Sequence, residues 1–169
     1  LYLKNYKKKF AKYELRSTKL SCIISLPQDF LFRSGDAVLK KGAFKELSPL
    51  FFKILEITEH KSDLLTVEGH TDNVPIRSKK FPSNWELSSA RATTIADMLI
   101  KRIKYPEKSI SIAGYADTRP KTDYTDINGA PLAGSDLKKA RNINRRVEII
   151  LTTPPKSLEE STLLFGGNN

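Results

Sequence analysis

Apolar positions recur along the chain in two periods. Leu3, Tyr6, Phe10 and Tyr13 stand three and four apart among lysines, which predicts an amphipathic helix with a basic face. Between Lys19 and Leu26, a run containing Leu20, Ile23, Ile24 and Leu26 reads as a first strand stopped by Pro27. Gly35-Asp36 marks a turn. Ser48 before Pro49 has the form of an N-cap followed by proline at the first helical position. The stripe Leu50, Phe51, Ile54 and Leu55 extends that helix to about Thr58. Leu65, Val67 and Gly69 alternate within residues 63–69, a second strand ending at His70-Thr71-Asp72, and a polar loop runs on to Pro82.

Ser83 and Glu86 fit a capping box, and Leu87, Ala90, Thr94, Ile95, Met98, Leu99 and Ile103 give the following helix one apolar face until Tyr105-Pro106. Residues 109–115 alternate as a third strand, and a loop of about twenty residues follows. A short helix over 136–143 and a fourth strand over 146–152, with Val147, Ile149 and Leu151 on one face, complete the pattern. The order is β-α-β-α-β-(α)-β, an α+β two-layer sandwich with helices on one face of a four-stranded mixed sheet. Short alternating strands leave the other sheet face wet or covered only by loops. The division expected is a basic leader over 1–19, a domain over 20–153 and a tail over 154–169.

Composition narrows the class. The 169 residues are 39% apolar and 28% charged, as in globular proteins, with no apolar run near the roughly 18 residues of a membrane span. The chain begins at Leu1 with no signal-like stretch, so a fragment or processed chain is expected. The net charge of +10 is uneven: residues 1–20 hold seven Lys and Arg against Glu14 alone. That leader admits a nucleic-acid reading with Tyr6, Phe10 and Tyr13 as stacking platforms, although a charge run is usually a solvated face.

Familiar catalytic and nucleotide-binding signatures are absent from the sequence. Cys22 lies in an apolar strand and reads as an inert core thiol. Two histidines and one cysteine far apart in sequence make a weak metal case, so no metal, cofactor or catalytic residue is expected. The informative polar cluster is Glu68 to Asn73 at a strand end, Asn84, Leu87, Ser88 and Arg91 on the next helix, and Asn144-Arg145-Arg146 entering the last strand. Loops after successive β-α units share one edge, which lets Asp72 face Arg91. Such a pair suits a zwitterion, the carboxylate accepting from an ammonium and the guanidinium holding a carboxylate. An ion pair pinning loop to helix is the commoner reading of such residues, since structural ion pairs outnumber ligand sites.

Gly69-His70-Thr71-Asp72, the run from Asn84 to Ala92, and the run from Asn144 to Ile149 resemble the OmpA-like peptidoglycan-binding domain, whose helix motif is N-x-x-L-S-x-x-R-A. The likeness covers about Leu20 to Leu151. Phe32-x-Ser34-Gly35, His70 to Pro75, Phe81 to Ser88 and Gly114 to Pro120 are most similar to the flagellar stator branch, the MotB proteins. The resemblance implies a non-catalytic module gripping the diaminopimelate of the stem peptide through Asp72 and Arg91. Thr71, Asn84, Leu87 and one of Arg145 or Arg146 would shape the pocket, and His70 would only orient the loop. It further implies a periplasmic domain, a homodimer, and a MotA-like stator partner reached through a membrane segment in the full-length protein. An outer-membrane tether of the OmpA or Pal type is the alternative with the same fold. The stretch 121–139 looks long for the family, which leaves open how Arg145 and Arg146 approach the site and whether the loop gates it.

Overall fold

A computed structural model describes residues 10, 13–18, 21–58 and 64–152. Among these residues five strands, β1 (Glu14–Ser17), β2 (Ser21–Pro27), β3 (Leu64–His70), β4 (Ile110–Gly114) and β5 (Arg146–Thr152), form one mixed sheet in the order β1-β2-β5-β3-β4. Only β3 and β4 run parallel, and the helix between them makes the crossover that a parallel pair requires. The helices are α1 (Gln28–Leu31), α2 (Ala43–Thr58), α3 (Asn84–Ile103) and α4 (Gly134–Asn144). Cys22, Ile24 and Leu26 of β2, Leu65 and Val67 of β3, and Val147, Ile149 and Leu151 of β5 point to one face, where α2 and α3 bury them.

Two expectations are corrected. Glu14–Ser17 is not part of a leader helix but an edge strand paired antiparallel with β2. Phe10 and Tyr13 beside it are buried in the main core, which removes both rings from any base-stacking role. Leu3 and Tyr6, like the tail over 154–169, lie outside the described residues. Helix α2 begins at Ala43, so Ser48 is not its N-cap and Pro49 lies inside it. The ring leaves the Lys45 carbonyl without its usual donor, and the Ser48 hydroxyl donates to that carbonyl at 3.2 Å. A Ser-Pro pair can thus sit within a helix as well as start one.

Helix α3 follows its sequence signals closely. The Ser83 hydroxyl accepts from the Trp85 amide at 3.2 Å, and the Glu86 carboxylate accepts from the Ser83 amide at 2.8 Å. Lys104 ends the helix in the left-handed region at φ 65°. Its second turn presses on the sheet at two glycines. A Cβ on Gly69 would lie 2.0 Å from the Ser88 carbonyl oxygen, and one on Gly114 would lie 2.1 Å from the Ser89 hydroxyl. Ser88 is fully buried there and accepts from the Ala116 amide at 3.1 Å.

The sheet face away from the helices is polar, as the short alternating strands predict. The loop over 115–133 lies on that side, where Lys121 reaches Ser25 at 3.1 Å. Buried Asn144 clamps it, accepting from the amides of Lys121 at 2.7 Å and Thr122 at 3.0 Å while donating to the Thr122 carbonyl at 2.8 Å.

The close approach at Gly69 yields a test. Gly69→Ala must displace helix backbone rather than a flexible side chain, so it should cost about 3 kcal/mol or more in urea unfolding. Ala at Gly42, where a Cβ would meet nothing within 4 Å, should cost only the strain of its φ of 89°.

Candidate functional site

The end of β3, the start of α3, the short α1 and the junction of α4 with β5 enclose a cavity of about 490 Å3. Thr71 and Asp72 leave β3 into it, Asn84, Leu87 and Arg91 enter from α3, and Arg145 comes from the junction. Six of the seven residues singled out in the sequence therefore meet in one place. Arg146 does not: it lies on the opposite sheet face, its Nε donating to Glu148 at 3.0 Å, and faces a separate cavity of about 900 Å3. Side chains alternate across a strand, so adjacent arginines at a strand entrance part company.

Asp72 and Arg91 do not form the ion pair that one reading allowed. Asp72 accepts from Arg145 Nη1 at 2.7 Å and from the Val74 amide at 3.0 Å. Arg145 also makes a two-point contact with Asp29, Nε to Oδ1 at 3.2 Å and Nη2 to Oδ2 at 2.8 Å, and reaches Asn142. These contacts raise the Arg145 guanidinium above its ordinary value, and the hydrogen bond from Arg145 holds the Asp29 carboxyl below its own.

Arg91 is only 2% exposed. Its Nε donates to the Asp36 carbonyl at 2.7 Å and Nη2 to the Arg33 carbonyl at 3.4 Å, and the guanidinium lies 5.4 Å from the Phe32 ring centroid. Among the described residues it has no carboxylate within ion-pair distance. Burial, opposed by the more distant Asp29, pushes its pKa down to about 10, so it stays charged at neutral pH. The Asp36 carboxylate shapes the turn that offers these carbonyls, accepting from the Ala37 amide at 2.7 Å and from Lys80 at 2.6 Å.

The remaining walls are set by the same elements. The Asn84 amide group donates to the Val74 carbonyl at 3.0 Å and to the Asp72 carbonyl at 3.4 Å, so it fixes the loop after β3 rather than merely starting α3. Thr71 is buried, with its amide on the Ala116 carbonyl at 2.8 Å and its hydroxyl on the Asp72 carbonyl at 3.0 Å. Leu87 packs with Ala37 and Phe81. Gln28 and Asp29 also line the cavity, and the buried Gln28 Oε1 has no hydrogen-bond partner among the described residues. Neither had been expected, because α1 is a single turn without periodicity. No residue of 121–139 lines this cavity, although Gly134, Leu137 and Lys138 line a shallower neighbour that shares Asp72 and Arg145. Cys22 is buried away from it, and burial pushes its thiol up, as suits an inert core residue.

The comparisons with known proteins meet this geometry. Residues 31–133 match the OmpA family. The chain belongs to that family. It is 33% identical to the uncharacterized protein YtxE of Bacillus subtilis over 76% of this chain and 47% of that protein. It is 31% identical to motility protein B of the same organism over 82% of this chain and 48% of that protein. The chain thus spans about half the length of these relatives. Among solved structures, the cell wall anchor of the T6SS from Pseudomonas aeruginosa has a TM-score of 0.68 at 27% identity, covering 90% of this chain and 95% of that one. The periplasmic domain of Helicobacter pylori MotB also has a TM-score of 0.68, at 23% identity over 93% and 89%. The OmpA-like mixed α+β fold is therefore shared, with five strands where four were expected. Among the described residues no helix is long and apolar enough to cross a membrane.

The Arg145–Asp29 contact has a pH signature. A carboxyl held below its ordinary value of 3.8 stabilises the fold fully above that value and loses its contribution as pH falls through the folded-state value. Asp29→Asn should be less stable than wild type at neutral pH, and the gap should shrink below about pH 4. Urea melts at both pH values check this, and an unchanging gap contradicts the assignment.

Proposed function

We propose that this domain is a non-catalytic peptidoglycan-binding module that anchors a flagellar motor stator to the cell wall. Its cavity grips the diaminopimelate of the stem peptide. The observation that carries the reading is the buried, charged Arg91 guanidinium, which has no carboxylate partner among the described residues and shares its cavity with Asp72. A ligand carboxylate completes Arg91, and a ligand ammonium uses the lone pairs of Asp72 that Arg145 and Val74 leave open. The cavity volume suits such a small polar group.

Family membership supports a wall-binding role, and the likeness to motility protein B supports the stator as parent over an outer-membrane tether. In that setting the domain is periplasmic, the full-length protein is anchored in the inner membrane beside a MotA-like partner, and paired copies gain avidity from linked sites. The non-catalytic reading has a chemical basis in the cavity. Its carboxylates, Asp29 and Asp72, are bridged by the one guanidinium of Arg145, whereas glycoside hydrolysis uses a pair of carboxyl groups set on either side of the scissile bond.

Co-sedimentation with isolated sacculi tests the proposal. Wild type should pellet with the wall, and Asp72→Asn and Arg91→Lys should each lose about 2 kcal/mol or more of binding while circular dichroism shows a folded domain. Normal pelleting of folded Arg91→Lys would remove Arg91 from the site. Release of soluble muropeptides by the wild type would overturn the non-catalytic reading.

A further inference from the structure

The polar face of the sheet holds a second cluster, distinct from the cavity. Alternation along β3 places Glu68 and His70 on that face, and the antiparallel register sets Glu148 of β5 opposite Glu68. His70 is 2% exposed, and neither ring nitrogen has a hydrogen-bond partner among the described residues. Its Nε2 lies 3.6 Å from Glu68 Oε2 and 3.9 Å from Glu148 Oε2, and one donor atom from each of the three residues falls within 4.8 Å of the others. Such separations are too long for hydrogen bonds. They are close to those of ligands sharing one metal, since bonds of about 2.0–2.2 Å in tetrahedral directions set neighbouring ligand atoms roughly 3.4 Å apart.

We propose that Glu68, His70 and Glu148 bind one divalent cation of the zinc class. The surroundings orient the ligands for it. Glu148 Oε1 accepts from Ser25 at 2.7 Å, Arg146 at 3.0 Å and Arg16 at 3.1 Å, which leaves Oε2 turned to His70. The Tyr115 ring stacks on the imidazole at 5.5 Å and fixes its plane. The two guanidiniums share the Glu148 charge, but among the described residues Glu68 has no cation within ion-pair distance apart from His70 itself. One nitrogen and two oxygens from largely buried side chains favour zinc over calcium or magnesium, which take six or more oxygens. The bound ion ties the end of β3 to β5 just before Thr71 and Asp72 leave the sheet.

Thermal melts of the whole chain, stripped with chelator and then given zinc chloride or magnesium chloride, test this. One equivalent of zinc should raise the midpoint and magnesium at the same concentration should not, and cobalt chloride should give the visible absorption of a low-coordinate site. Glu68→Gln should weaken zinc binding at least tenfold by calorimetry, whereas His60→Gln should leave it intact. His70→Gln should abolish it, and if that variant does not fold, Glu68→Gln carries the test alone because Glu68 is partly exposed. The proposal fails if wild type does not respond to zinc, if Glu68→Gln responds equally, or if the response vanishes with His60. A midpoint that moves with pH and not with zinc also overturns it, since the cluster then holds a proton shared between His70 and the glutamates. No residue of the cluster lines the Arg91 cavity, so failure here leaves the wall-binding reading standing.

Discussion

Helix α3 rests on the sheet backbone to backbone, and the placement of everything polar depends on that contact. Gly69 and Gly114 give the room, since a Cβ at either would enter the space of Ser88 or Ser89. Asp72 lies three residues beyond Gly69 and Arg91 three residues beyond Ser88. Three residues advance about 4.5 Å along a helix and about 10 Å along an extended strand. The shared contact therefore delivers a carboxylate and a guanidinium to one mouth without either being bonded to the other. A wider helix-to-sheet spacing would also break the bond from the Ala116 amide to Ser88, and with it the turn whose carbonyl receives Thr71.

Charge in the cavity is balanced but unevenly solvated. Arg91 and Arg145 stand against Asp29 and Asp72, and the balance suits a ligand carrying one charge of each sign. Arg145, at the rim, can afford full ion pairs because water screens what they leave over. Among the described residues Arg91, in the wall, has only carbonyl dipoles at bonding distance, and a buried charge held that way keeps a strong demand for an anion. The asymmetry separates an arginine paired with carboxylates from one held by carbonyl oxygens.

Local signals were legible where one element decided its own form. The capping box at Ser83, the stripe of α3 and the alternation of β5 appear in the structure within a residue or two of where they were read. Tertiary context overrode local reading elsewhere. Glu14–Ser17 is a strand because β2 offers an edge, and four residues with Leu15 as their lone apolar member carry no period of their own. Pro49 resembles a helix start because the Ser48 bond to Lys45, which lets a helix continue through it, leaves no mark in the pattern. The sharing of the cavity by Asp72 and Arg91 was readable from topology. The choice of Arg145 as the partner of Asp72 was not, since it depends on how α4 meets β5 73 residues later.

The sheet also explains why one strand junction serves two chemistries. Arg145 is the last residue before β5 and Arg146 its first, and the period of two sends their side chains to opposite faces. One guanidinium joins Asp29 and Asp72 at the cavity, and the other joins Glu148 below the loop over 115–133. A one-residue slip of β5 would exchange them, placing Val147, Ile149 and Leu151 against the polar loop and Glu148 against α2 and α3. The apolar face that holds the helices therefore also assigns each arginine its partner. The β3–β5 register, with Glu68 opposite Glu148 and Gly69 opposite Val147, is thus the setting on which both polar clusters depend.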